Sequence, residues 1–218
     1  MTRAATYDLI RIVHLRPDAR PDDVAAALRG AAADAGACSH TVGTPLPGSI
    51  AAGDLVVRMR FAGNAAWRAG RNELDAALNG PEVDRFHGAE FGPGTSGRSA
   101  DAADATCYRA LLLRVHPHTE PGAIERFEND LLAMPRHMPS IRSWNLSRVD
   151  SACGPTPWTH VWEQWFASSA DVTGQYLDHP VHWAVVDRWF DPEYPESIIR
   201  DRVCHAFCAI GQEPPDRR

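Results

Sequence analysis

Offset against itself by about 100 residues, the 218-residue chain repeats in order, and a repeat of that length constrains the fold more than any single motif does. "YDLIRIVHLRP" (7–17) lies over "YRALLLRVHP" (108–117), each an apolar strand ending at a proline. "RPDDVAAALRGAAADAG" (20–36) lies over "EPGAIERFENDLLAMP" (120–135), and both begin with a proline and nearby acids, the signals of a helix start. "ACSHTVGT" and "SIRSWNLSRVD" read as second strands. "GDLVVRMRF" (53–61) and "WTHVWEQWF" (158–166) are alternating third strands of equal length. "WRAGRNELDAALNGPEVDRF" (67–86) and "SSADVTGQYLDHPVHWAVVDRWF" (168–190) are helical patterns, each interrupted by one proline. "IIRDRVCHAFCAI" (198–210) closes the second copy, whereas the first copy shows no clear closing strand.

Each copy thus has the order βαββαβ, the split-βαβ or ferredoxin-like unit, with two helices on one face of an antiparallel sheet. The other face of so small a unit is partly apolar and needs cover. Two copies in one chain supply it, so the expected class is α+β: two tandem ferredoxin-like halves packed sheet to sheet as an intrachain pseudo-dimeric α/β barrel, monomeric as a chain. The divisions expected are a degenerate half at 1–92, a linker at 93–106, a half carrying a site at 107–210 and a flexible tail at 211–218. "GPGTSG" (92–97) reads as flexible linker, not as a phosphate loop, because it does not join a strand to a helix.

Composition narrows the function classes. A net charge of −6, with no run of basic residues longer than a pair, leaves no footprint for nucleic acid or an anionic membrane. No apolar run is long enough to span a bilayer, and "MTRAATYDLI" has no signal-peptide core, so a cytoplasmic protein is expected. Five cysteines without a CxxC pair read as free thiols.

The second copy carries the signature residues. "WTHVWEQWF", "QYLDHPVHWAVVD" and a last strand near "RVCHAF" resemble the stress-response A/B-barrel (Dabb) family of dimeric α/β barrels, and within it the olivetolic acid cyclase-type polyketide cyclases. The resemblance spans roughly residues 107–208. It implies a catalytic role for His182 and Tyr176 and a pocket role for His160. It departs at Arg109, where the family has a first-strand histidine, and at Leu131, where the cyclases have a tyrosine. In the first copy the equivalent turn holds Ala77, Gly80 and Val83, and the third strand holds Leu55 in place of His160, so one half keeps a site and the other completes the barrel.

Strand alternation puts Trp158, His160, Trp162, Gln164 and Phe166 on one face, which the resemblance turns toward the helices. Arg109, Leu111 and Leu113 would form the floor, and Phe127, Glu128 and Leu131 would come from the first helix. His182 reads as a general base near neutral pH, or as a histidine bonded to a carbonyl at a helix start. Tyr176 reads as its orienter or as an oxyanion donor, or as a half-buried ring with a solvated hydroxyl. His160 is a pocket group or a satisfied core histidine, and His179, before Pro180, fixes the turn. Arg109 is a carboxylate or phosphate anchor, or the partner of Glu128 or Glu163. Trp162 and Trp183 are the tryptophans expected to touch a ligand. A metal reading would combine His179, His182, His160 and Glu163, but no companion motif accompanies the His pair, and neither metal nor cofactor is expected. The leading expectation is a cofactor-independent cyclase, lyase or isomerase acting on a carbonyl (polyketide-like) or aromatic small molecule. A non-catalytic ligand-binding barrel and a cofactor-free monooxygenase are the alternatives.

Overall fold

The computed structural model describes residues 6–200 and 203–211. The first half runs β1 (Tyr7–Leu15), α1 (Pro21–Asp34), β2 (Ser39–Gly43), β3 (Leu55–Phe61), α2 (Asn64–Leu78) and β4 (Val83–Phe91), followed by β5 (Thr95–Arg98). The second runs β6 (Cys107–Leu113), α3 (Pro121–Ala133), β7 (Ile141–Arg148), β8 (Ser151–Cys153), β9 (His160–Phe166), the short helices α4 (Ser169–Thr173) and α5 (Gln175–Asp178), and β10 (Cys204–Ala209). Two antiparallel five-stranded sheets result, ordered β2-β3-β1-β4-β8 and β10-β6-β9-β7-β5. The tandem ferredoxin-like architecture is therefore present. Prolines at the starts of α1 and α3, with Asp22 and Asp23 in the first turn of α1, mark the helix starts as the sequence predicts.

Alternation sorts each strand between two layers. Leu9 and Val13 of β1 pack with the helices, whereas Ile10 and Ile12 join Val56, Tyr108, Ala110, Leu112, Val161 and Ala206 in an apolar layer between the sheets. That layer also buries a polar cluster. Arg58 of β3 donates to Asp8 of its own half and to Glu163 of the other, each at 3.1 Å. Tyr108 Oη donates to Glu163 at 2.9 Å and Asn145 Nδ2 at 3.0 Å, so the carboxylate is satisfied from both halves.

The halves also close each other's sheet edges. The β2–β3 connection of the first half lies against β10, with bridges Pro45↔Cys208 and Ile50↔His205. In the second half the equivalent connection carries β8, which pairs with β4. Both exchanges cover an exposed edge, as a sheet that avoids aggregation requires.

Several local expectations are corrected. Residues 95–98, read as linker, form β5 along β7. The glycines there serve close approach: a Cβ on Gly97 would overlap the Trp144 ring, and one on Gly94 the Leu146 carbonyl. The first copy's closing strand is β4, because α2 stops at Leu78 ahead of Pro81 and the chain turns straight into a strand. The 168–190 helix is broken into short pieces at Gly174 and Pro180. Trp158 precedes β9 and packs between the sheets, not toward the helices. The expected tail lies, beyond Gly211, outside the described residues. Among the described residues no helix is long and apolar enough to cross a membrane.

Arg58→Met removes the one cation that joins Asp8 to Glu163 across the sheets, leaving Glu163 buried and charged. Equilibrium urea unfolding should show a loss of about 3–5 kcal/mol. By contrast, Arg85→Met breaks the exposed Arg85–Asp84 pair and should change stability by about 1 kcal/mol or less.

Candidate active site

In the second half the space between sheet and helices is roofed by the broken segment after β9. Ser168 caps α4 by accepting from the Asp171 N–H, Gly174 ends that turn, and α5 ends at His179. His179 is extended (φ −72°, ψ 132°), as a residue before proline must be, and its Nδ1 accepts the Val181 N–H at 3.1 Å. The ring therefore belongs to the turn.

After Pro180 the chain makes a π-helical turn, His182–Val186, in which the Asp187 N–H bonds back to the His182 carbonyl. Five residues per hydrogen-bonded turn bring Asp187 under His182, where an α-helix would separate them around the axis. The His182 Nδ1–Asp187 Oδ1 distance is 3.2 Å. A carboxylate only accepts, so this contact favours the proton on Nδ1 and leaves Nε2 as the basic nitrogen. Burial holds the His182 pKa below its ordinary value; Asp187 opposes that shift and Arg109 adds to it. The side chain is still 16% exposed, so solvent reaches the ring.

Tyr176 packs edge-on against His182, ring centroids 4.8 Å apart, and against Phe166. It is fully buried, and burial raises its pKa against the pull of Arg109, so the hydroxyl stays protonated; it donates to Met134 Sδ at 3.7 Å. Arg109 stacks its guanidinium over the Tyr176 ring, 4.7 Å from the centroid. Its Nε donates to His205 Nε2 at 2.6 Å and its Nη1 to the Gln164 carbonyl oxygen. Among the described residues no carboxylate pairs with it, although it is only 3% exposed. The expected partners are elsewhere: Glu163 points between the sheets, and Glu128 pairs with Arg148 and His160. Burial, Arg109 and His182 together push His205 down to about 2, so it is neutral and accepts from Arg109.

The predicted residues therefore form two groups. Arg109, Trp162, Gln164, Tyr176 and His182 gather under the broken helix, with Leu111, Leu113, Phe127 and Leu131 in the surrounding apolar core. His160 sits about 13 Å along β9 from Gln164, four residues away at the strand rise. There its Nε2 donates to Glu128 at 3.1 Å and its Nδ1 accepts from Thr159 at 2.9 Å. Both ring nitrogens are used, so His160 is a satisfied core histidine and does not meet His182. Glu128 and Arg148 instead border an open cleft of about 460 Å³ beside residues 92–95. Trp183 is 58% exposed and lines nothing, because it follows the inward-facing His182 by one residue of the turn. The residues of the metal reading are dispersed, and no group of His, Cys, Asp or Glu capable of holding a metal occurs among the described residues.

Two participants escape sequence reasoning. Asp187 is five residues from His182, a spacing that matters only in a π turn. His205 had a usable signal: in "CHAFCA" the small residues alternate with His205 and Phe207, which marks those two as the helix-facing pair.

Residues 107–204 match the family model for the stress responsive A/B barrel domain. The match covers the second half of the chain. The whole chain shares its fold with an anthrone oxidase-like protein (8% identity, TM-score 0.65, 95% of this chain and 92% of the other). A candidate monooxygenase of Lactobacillus acidophilus aligns at 10% identity and TM-score 0.58, over 94% and 98% of the two chains. A chlorite dismutase variant from Candidatus Nitrospira defluvii aligns at 8% identity and TM-score 0.56, over 97% and 94%. These similarities establish a fold common to both halves of the chain. No curated protein matches the chain in sequence.

Two outcomes test this electrostatic and local picture. His179→Ala should lower the thermal midpoint, by the equivalent of about 1 kcal/mol for the lost turn bond. His87 and His205 are held at about 4 and about 2, below the ~6.5 of an unfolded histidine. The unfolded chain therefore binds more protons below pH ~6.5, and the urea midpoint should fall as pH drops from there toward 4. A midpoint constant over that window would contradict it.

Proposed function

We propose that the A/B barrel half is a cofactor-independent enzyme that removes a proton from a carbon next to a carbonyl, as an isomerase, lyase or cyclase does. The supporting observation is the His182–Asp187 pair set against a buried cation. A neutral imidazole whose Nδ1–H is tied to a carboxylate presents Nε2 in one orientation, which is the arrangement of a general base.

In this reading His182 Nε2 takes the proton and the electron pair moves onto the carbonyl oxygen as an enolate. Arg109 and the protonated Tyr176 hydroxyl supply positive potential and a donor on the same side of the pocket. The imidazolium then returns its proton to another atom of the same molecule, giving an isomer. Alternatively, the carbanion closes on a second carbonyl, and the imidazolium protonates the resulting alkoxide. Asp187 stabilises the imidazolium between the two transfers.

The experiment needs no knowledge of the natural substrate. A panel of 1,3-dicarbonyl compounds is incubated in D₂O and deuterium uptake at the acidic carbon is followed by NMR. Exchange should be catalysed by the protein and fall about 10²–10⁴-fold in His182→Ala with the fold retained. Tyr176→Phe should lose less than His182→Ala. The rate should rise with pH as His182 deprotonates, with its inflection below the ~6.5 of free imidazole, because burial lowers this pKa. Exchange unchanged in His182→Ala would leave the pocket as a binding site only.

A further inference from the structure

The helix-covered core of the second half is short of acceptors. Gln164 turns its carbonyl oxygen to Arg109, so its Nε2 faces away, and that fully buried nitrogen has no hydrogen-bond partner. Trp162, two residues earlier on the same face of β9, is also fully buried; its Nε1 lies near the Tyr176 hydroxyl but makes no well-formed hydrogen bond. Beside them Arg109, among the described residues, bonds to neutral groups, His205 and Gln164, and stacks on Tyr176. The carboxylate of Asp187 is engaged with His182. Buried donors are nearly always satisfied, and a buried cation is nearly always paired. Here two donors and one cation are buried together and, among the described residues, no anion pairs with them.

The first half shows what completes such a set. On its helix-facing side Arg11 donates to Glu90 at 2.5 Å, and Trp67 Nε1 donates to the other oxygen of the same carboxylate at 2.9 Å. A buried arginine and a buried indole thus converge on one carboxylate supplied by the chain. In register, Glu90 lies opposite Leu9, whose counterpart in the second half is Arg109; opposite Arg109 stands Phe207. The position that supplies a carboxylate in one half supplies a phenyl ring in the other.

We propose that the ligand of the second half brings this missing group, and that it is an organic acid whose carboxylate sits against Arg109, Gln164 Nε2 and Trp162 Nε1. The carboxylate accepts from both orphaned donors and neutralises the guanidinium, while the rings of Tyr176 and Phe207 flank its organic part. The inference rests on the preceding reading only in setting the ligand's reacting carbon beside His182; the binding itself needs no catalysis.

The test uses formate and benzoate as probes, with formamide and benzamide as uncharged matches, read by tryptophan fluorescence and thermal shift. Both anions should raise the melting temperature of the full chain and bind at least about tenfold tighter than their amides, as a ligand bound only by the native state does. Arg109→Met should abolish the preference while folding and melting at or above the parent, since a buried cation without a counter-ion is replaced by an apolar side chain. His182→Ala should keep the preference. Loss of anion preference in Arg109→Met with retention in His182→Ala supports the proposal, whatever the deuterium exchange shows. Equal binding of acids and amides by the parent protein would overturn it, as would an anion preference that survives in Arg109→Met, even if His182→Ala abolished exchange.

Discussion

The two halves close around one buried carboxylate. Glu163 receives Arg58 from the facing sheet and Tyr108 and Asn145 from its own, and Arg58 is shared with Asp8. A charge with no solvent must meet its partners with good geometry, so this cluster fixes how one sheet sits on the other. Apolar contacts among Ile10, Ile12, Val56, Leu112 and Val161 supply attraction but little direction. With the inner faces of both sheets committed to this closure, the helix-covered faces are where a pocket can form.

The halves then diverge on those faces. In the first, α2 is an unbroken helix of 15 residues whose Trp67, Leu74 and Leu78 pack down on Leu9, Val57 and Met59, and its buried arginine is neutralised by Glu90. In the second, Gly174 and Pro180 break the corresponding helix, and the π turn after the proline sets Asp187 under His182. Arg109 and Gln164 occupy the strand positions that Leu9 and Met59 hold in the first half. The same fold thus neutralises its buried arginine with its own carboxylate in one half and, among the described residues, does not in the other.

Most of the architecture could be read from the sequence, because strand alternation, proline-started helices and the repeat all report local physics. What escaped was decided by contacts distant in sequence. The glycines at 94 and 97 look like linker residues until Trp144 and Leu146 lie across them. His160 is on the expected face of β9, but its bonds to Thr159 and Glu128 hold it away from His182. Trp183 shares a motif with His182 yet points to solvent, since it follows the inward-facing His182 by one residue of the turn. The resemblance to the A/B barrel family located the half; it held no information on Arg109, where this chain departs from the family.

The central claim is that His182 is held neutral, with its proton on Nδ1 and its Nε2 free to act. Nitrogen-15 NMR of the histidine rings across a pH titration measures both features directly. A protonated Nδ1, an unprotonated Nε2 and a pKa below ~6.5 are the expected result. An Nε2-protonated tautomer, or a pKa above that value reporting a stable imidazolium–Asp187 ion pair, would contradict the account.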